Sequence, residues 1–432
     1  MQALLSYDQS PPIEAHFRYF QTAPVFGTLA GVLLVWTGPG AFLSRWTPEA
    51  LALTHLITAG FMLQVMLGAL IQVLPVVAGA NMARPQLISR FVHGAITLGA
   101  GLLASAFLTF RPWLFIVSGL CFIVGGLLFV GAAAWAMRGV SATGPTITGL
   151  KTSVSGFCVT VALGAAMAFG MAGWFDLPLI QLADIHLGWG VVVWGIGLLA
   201  AVAYVVVPMF QITPAYPAWL ANWFARFSLA ATGVWTVVAI TGPDAAYLIA
   251  ALAMVGAAAV FFGVTLSLQR RSKRSRFDTN QYCWCGAMAS MLAAAAIWAT
   301  ANTLPAVGEW PGWPTLCGVL LLFGGFVLVI TGMLYKIVPF LVWLHLQNLG
   351  GGVRMTPNMK KIIDETSMHR QMLSHFVAVI LLLVAVLRPE EMAVPAGVAV
   401  VVSQSWLAWN LWSGVRVFRN YRNRILEKLA VS

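Results

Sequence analysis

Charge is what this 432-residue chain has least of. Only 9% of its residues are Asp, Glu, Lys or Arg, while 60% are hydrophobic. A soluble domain needs about a quarter of its residues charged to keep its surface wet. A water-exposed globular fold is therefore excluded, and lipid must be the main solvent. Acidic residues are scarcest: the thirteen carboxylates all fall at or beyond the ends of apolar runs, so no buried acid stands ready to relay protons. The five cysteines, Cys121, Cys158, Cys283, Cys285 and Cys317, are scattered in or beside apolar runs and form no disulfide framework. The N-terminal stretch MQALLSYDQSPPIEAHFRYF lacks the basic start and small-residue cleavage site of a signal peptide, so its removal is not expected.

What is present is a series of long apolar runs. A membrane-spanning helix needs about 20 apolar residues, and twelve such runs can be drawn: 22–43, 50–77, 87–109, 112–136, 149–173, 185–211, 219–240, 244–268, 281–303, 313–343, 370–388 and 393–415. The net charge of +11 divides unevenly between the two sides that alternate spans define. One side holds Arg18, Arg84, Arg90, Arg138, Lys151, Arg226, the cluster 270–276, Lys336, Arg354, Lys360, Lys361, Arg370 and the basic tail 416–428. The other has only Arg45, Arg111 and Arg388. Lys and Arg are retained on the cytoplasmic side, so both termini are expected in the cytoplasm of a bacterial-type inner (plasma) membrane. The clusters QRRSKRSR and FRNYRNR then read as membrane-surface charge facing anionic lipid, and no nucleic-acid partner is expected.

The spans carry an internal repeat. Span 2 ends in GALIQVLPVV, span 6 in AAVAYVVVPMF and span 10 in TGMLYKIVPFL, each with a small residue (Gly68, Ala201, Gly332) seven positions before a proline (Pro75, Pro208, Pro339). The prolines are 133 and 131 residues apart. Three parallel units of four helices, at about 15–140, 145–272 and 278–416, account for a single membrane domain. Proline at a helix end would explain any one of these sites, but not their spacing or their matched small residues.

Each of the first two units opens its second helix with Leu-Ala-x-x-His-Leu, in LALTHL (51–56) and LADIHLGWG (182–190). His55 lies 20 residues before Pro75 and His186 lies 22 before Pro208; the same count back from Pro339 lands on Cys317. Histidine inside a span is costly unless paired or functional, and imidazole and thiolate suit haem iron, copper or zinc. The plainer alternative is a histidine hydrogen-bonded to a carbonyl in a helix interface. The offset of two residues rotates a side chain by about 200° on an ideal helix, so alignment requires a bulge in one helix. Gly60 and Gly188 are candidates to line a slot for a porphyrin face, because glycine lets it approach the backbone.

At the level of architecture, and in THLITAGFMLQVMLGALIQVLPVV and DIHLGWGVVVWGIGLLAAVAYVVVPMF, the chain resembles subunit I of the haem–copper oxidase superfamily, in particular short divergent members related to NnrS-type haem–copper proteins. The resemblance implies an all-α integral membrane fold of twelve helices in three pseudo-threefold units. It implies His55 as a ligand to haem b and His186 as a ligand to copper or a second haem, with Cys317 a third metal candidate. Two departures stand out. Helix 7, WLANWFARFSLAATGVWTVV, has no histidine where the family carries an adjacent pair, and WPGWPTLCGVLLL lacks the pair expected at the outer end of helix 10. With no buried acid either, proton-pumping oxygen reduction is not expected.

A second group of histidines falls on the basic side: His16, His93, His345, His369 and His375. His93 and His375 occupy comparable early positions in the helices after the repeat prolines, where they could hold one lateral haem or merely cap carbonyls. YCWC (282–285) has no second cysteine pair, which makes it weak as a metal motif. Two functions stay open: a haem- or copper-binding membrane protein of redox, nitric oxide or metal handling, and a transporter built on a parallel repeat.

Overall fold

The structure, a computed structural model, describes residues 7–140, 143–350 and 356–431; Arg354, counted above in the charge asymmetry, lies outside the described residues. Among the described residues, twelve helical segments are long and apolar enough to cross a bilayer: α1 (Glu14–Phe42), α2 (Pro48–Ala78), α3 (Pro85–Thr109), α4 (Pro112–Arg138), α5 (Pro145–Met171), α6 (Leu179–Gln211), α7 (Ala218–Thr241), α8 (Asp244–Arg270), α9 (Thr279–Thr303), α10 (Trp313–Gly350), α11 (Glu365–Leu387) and α12 (Pro389–Leu429). No strand occurs among the described residues. Large apolar side chains such as Leu127, Val237, Ile249 and Ile380 stand exposed on the outer helices, a surface suited to hydrocarbon. The chain is an all-α, multi-pass membrane protein.

Local chemistry sets the helix ends. Proline opens α2, α3, α4, α5 and α12, where its missing N–H costs nothing. Thr47, Asp278 and Asp364 cap α2, α9 and α11 by accepting the backbone N–H three residues on. Gly79, at φ +67°, closes α2 and donates its N–H to the carbonyls of Leu74 and Pro75, a left-handed cap that favours glycine. The repeat proline lies three residues before the end of α2 and of α6, whereas α10 continues through Gly350, eleven residues past Pro339. Helix termination therefore does not explain the third proline.

The helices form a closed ring around three central ones. Consecutive helices pack side by side, and α12 packs back on α1. In the apolar stretches of α2, α6 and α10, 83%, 61% and 67% of residues are buried, against at most 50% in any other helix. These three are the innermost. Their central segments meet: α2 touches α10, and Phe326 of α10 fills the space beside Gly195 of α6.

Each of the three inner helices also departs from α-geometry at one place. A π-helical segment runs over Leu56–Met62 in α2, Trp189–Ile196 in α6 and Val319–Val327 in α10. They begin 19, 19 and 20 residues before Pro75, Pro208 and Pro339. Such segments are rare and concentrate at functional sites. Alignment of the two histidines called for a bulge in one helix alone; with all three bulged at matching register, His55 lies one residue before its segment and His186 three, so the two-residue offset remains.

The small residues of the repeat are crossing points. A Cβ on Gly68 would fall 2.9 Å from Tyr19 and Phe20 of α1, and one on Gly332 would fall 2.7 Å from Cys283 of α9. The Ala201 methyl occupies the same position against Gly149 of α5, whose own added Cβ would lie 2.6 Å from it. In each case the second helix of a group of four crosses the first. The ring-closing contact uses glycine likewise: Gly31 of α1 and Gly397 of α12 face each other across a gap that would set an added Cβ 2.7 to 3.1 Å from partner backbone. Gly332→Val is therefore expected to lower stability by about 1–3 kcal/mol through overpacking. Gly94→Ala, with open space around it, should leave the thermal unfolding of the detergent-solubilised protein unchanged or slightly raised.

Candidate metal centre

His55, His186 and Cys317 lie near the end of the bundle opposite both chain termini, called here the distal end. Each sits just ahead of the π-helical segment of its helix. His55 directs Nδ1 at the carbonyl of Leu51 in its own helix, at 2.8 Å, and its ring lies 5.0 Å from that of Phe107 on α3. His186 directs Nδ1 at the carbonyl of Thr160 on α5, at 3.0 Å. A carbonyl accepts only an N–H, so both rings carry their proton on Nδ1 when neutral. Nε2 of each is thereby the lone-pair nitrogen, and no hydrogen bond to either is made among the described residues. An imidazole held by Nδ1–H on a carbonyl with Nε2 free is the usual preparation of a metal ligand.

His55 and His186 make no ring contact or hydrogen bond with each other among the described residues. Cys317 turns elsewhere, its thiol 3.6 Å from the carbonyl of Ala294 on α9. No group of three or more His, Cys, Asp or Glu side chains is assembled among the described residues. At this end Arg45, in the α1–α2 connection, pairs with Asp184 of α6 at 3.0 Å. It ties the entrances of the two histidine-bearing helices together.

The expected glycine slot is not open. Phe26 of α1 lies within 2.5 Å of where a Cβ on Gly60 would stand, and Trp235 of α7 within 2.6 Å at Gly188. Both glycines make room for an aromatic ring of a neighbouring helix, so the close-packed interior fills the space that the sequence reading reserved for a porphyrin. The glycine that meets His186 is Gly164 of α5, where an added Cβ would fall 3.0 Å from Cε1.

His93 and His375 are held by separate sets of neighbours. Nε2 of His93 donates to the Thr22 hydroxyl of α1 at 2.9 Å, since that hydroxyl already gives its proton to the Arg18 carbonyl. His375 lies ten residues inside α11, about 15 Å along it at 1.5 Å per residue, and is fully buried. Its ring stacks on Phe323 at 4.4 Å and bonds the Phe323 carbonyl through Nε2 at 3.1 Å, with Ser403 and Gln404 of α12 at Nδ1. The two rings do not share a contact. Cys283 of the YCWC stretch is buried against Gly332, and Cys285 donates to Gln269.

A polar chain escaped the sequence reading. Asn410 donates to Tyr335, Tyr335 to Gln371, and Gln371 to Ser403, which reaches His375. Its members come from α10, α11 and α12 and are buried. Ser403 and Asn410, seven residues apart on one helical face, were the available signal. Compared with known proteins, the chain matches no family model and no curated sequence.

The groups that hold a metal-binding imidazole in place are worth about 10–100-fold in metal affinity. Gly164→Leu should displace the His186 ring and weaken any metal held by it at least tenfold, read as bound metal per protein by elemental analysis. Gly233→Leu, with open space around it, should not.

Proposed function

We propose that the chain is a metal-handling membrane protein of haem–copper oxidase type, holding haem b, copper or both at its distal end. The observation that carries this reading is the matched state of His55 and His186: each ring commits its Nδ1 proton to a backbone carbonyl, and no hydrogen bond reaches either Nε2 among the described residues. This donor chemistry fits a transition-metal ion or haem iron. Bound there, the metal supplies one-electron redox or binding of a small diatomic gas such as nitric oxide. The protein's part is to fix the tautomer of both imidazoles and to hold the two helix entrances together through Arg45 and Asp184. Cys317, turned to α9, is the reserve ligand.

Three features support the three-unit architecture within this reading: the innermost position of α2, α6 and α10, the π-helical segments at matched register, and the small-residue crossing repeated in each group of four. The charge asymmetry of the sequence supports cytoplasmic termini in a bacterial-type inner membrane. A surface groove of about 860 Å³ between the α8–α9 connection and the start of α11 is lined by Arg274, Arg276, Asp278, Glu365, His369 and Arg370, with Arg274 paired to Asp278 at 3.0 Å.

The test is an absorption spectrum of the detergent-purified protein from haem-replete cells, oxidised and dithionite-reduced, with iron and copper analysis. A Soret band or stoichiometric copper is expected, lost in His55→Ala and His186→Ala. Colourless protein free of both metals would sink the reading and favour transport of a solute through the repeat bundle. The same preparation should show no oxygen uptake coupled to proton release.

A further inference from the structure

The seams between the outer helices are not equally closed. α1 packs broadly on α12, and α3 on α4, but α1 and α3 meet each other sparingly. Their contact is pinned at the terminal end of the bundle. There the Tyr19 hydroxyl donates to the Ser89 carbonyl at 3.1 Å, and Nε2 of His93 donates to the Thr22 hydroxyl at 2.9 Å. Both helices start at this end, so they run parallel. Arg18 lies four residues before Thr22 and Arg90 three before His93, each on the same helix face as its partner. At about 1.5 Å per residue they stand about 6 and 4.5 Å below the Thr22–His93 bond. The two arginines are therefore side by side at one level.

No acid balances this pair, and like charges at one level repel. Arg18 spends Nε on the Glu14 carbonyl at 2.9 Å, which leaves its two terminal nitrogens over. The Glu14 carboxylate is turned to Arg422 at 3.8 Å. Neither Arg18 nor Arg90 belongs to an ion pair among the described residues. The repeat restates the arrangement. Lys151 of α5 follows Arg18 by 133 residues, as Pro208 follows Pro75, and Arg226-Phe227 of α7 renews Arg90-Phe91. α5 and α7 are in contact too, and Lys151 and Arg226 likewise have no acid partner among the described residues. In the third unit Tyr282 stands where Lys151 would, so two seams carry a cation pair. Above each pair the surface is open to hydrocarbon. Gly94 and Gly101 of α3, and Gly233 of α7, have empty space where a Cβ would stand, beside the exposed Phe91, Leu98 and Val234.

We infer that the α1–α3 and α5–α7 seams each bind one anionic glycerophospholipid, with its phosphate between the two cations and an acyl chain along the open strip above them. Phosphate accepts charge-assisted hydrogen bonds from two cations at once, bidentately from arginine, and its charge relieves their repulsion. A lipid fits better than free phosphate because the glycine strip leads from Arg90 straight into the hydrocarbon depth of α3. An anionic headgroup fits better than a zwitterionic one because an ammonium group would stand among cations with no carboxylate to receive it. The inference is independent of the distal metal.

The test is native mass spectrometry of full-length protein, delipidated in detergent and titrated with dioleoylphosphatidylglycerol or dioleoylphosphatidylethanolamine. Two tight equivalents of phosphatidylglycerol are expected, with phosphatidylethanolamine bound about tenfold or more weakly. Arg18→Gln with Arg90→Gln should leave one tight equivalent, and adding Lys151→Gln with Arg226→Gln should leave none. Arg90→Gln alone, at an exposed position that needs no repacking, should also remove one; monodisperse elution checks the fold of each variant. Taking two exposed cations from the tail of α12 instead, by Arg419→Gln with Lys428→Gln, should leave both. Four results would overturn the proposal: equal binding of the two lipids, phosphatidylglycerol adducts unchanged in the fourfold variant, the same loss in the tail variant, or displacement of the lipid by millimolar inorganic phosphate.

Discussion

Inside a bilayer a backbone amide has no water to turn to, and this constraint orders everything else in the molecule. It accounts for a chain built from helices, for the three prolines sitting where neighbouring helices and local adjustment can absorb the lost hydrogen bond, and for the helical, rather than open, form of the irregular segments in α2, α6 and α10. A π-turn shifts the hydrogen-bond register by one residue without abandoning it. It can therefore redirect side chains such as His55 and His186 at membrane depth where a loop could not.

The same constraint acts on side chains. The hydroxyls and amides of Tyr335, Gln371, Ser403 and Asn410 find one another across three helices, and His93 and His375 are drawn into comparable bonds. Interhelical hydrogen bonds of this kind add to packing in membranes, where small residues let backbones approach. The glycine contacts of α1 with α12 and the matched crossings at Gly68, Ala201 and Gly332 are the packing half of that arrangement.

The spans were legible because hydrocarbon thickness imposes a length of apolar sequence that nothing else in the chain imitates. Their ends were less so. α1 starts at Glu14, eight residues ahead of the apolar run, because Phe17, Tyr19 and Phe20 are buried by neighbouring helices despite the charged residues among them; α12 continues well past 415 as a basic helix. The identity of the inner helices could be read from the repeat, since its small residues and prolines mark contacts. The π-segments could not, as they depend on how Phe326 and its neighbours interlock between helices. Nor could the aromatic fillings at Gly60 and Gly188: a glycine in a span announces a close approach without saying what approaches. His16 precedes the first apolar run, and only the position of Phe17, Phe20 and α10 makes it interior.

The contact between α1 and α12 has a consequence for how the chain could be rewired. Both termini emerge at the same face from adjacent helices, so a short peptide could join them without crossing the bundle. The ring has no privileged starting point, and a circularly permuted gene opened between α4 and α5, or between α8 and α9, would preserve the order of neighbours around it. A cut at either of these connections leaves each helix with the neighbours it has now.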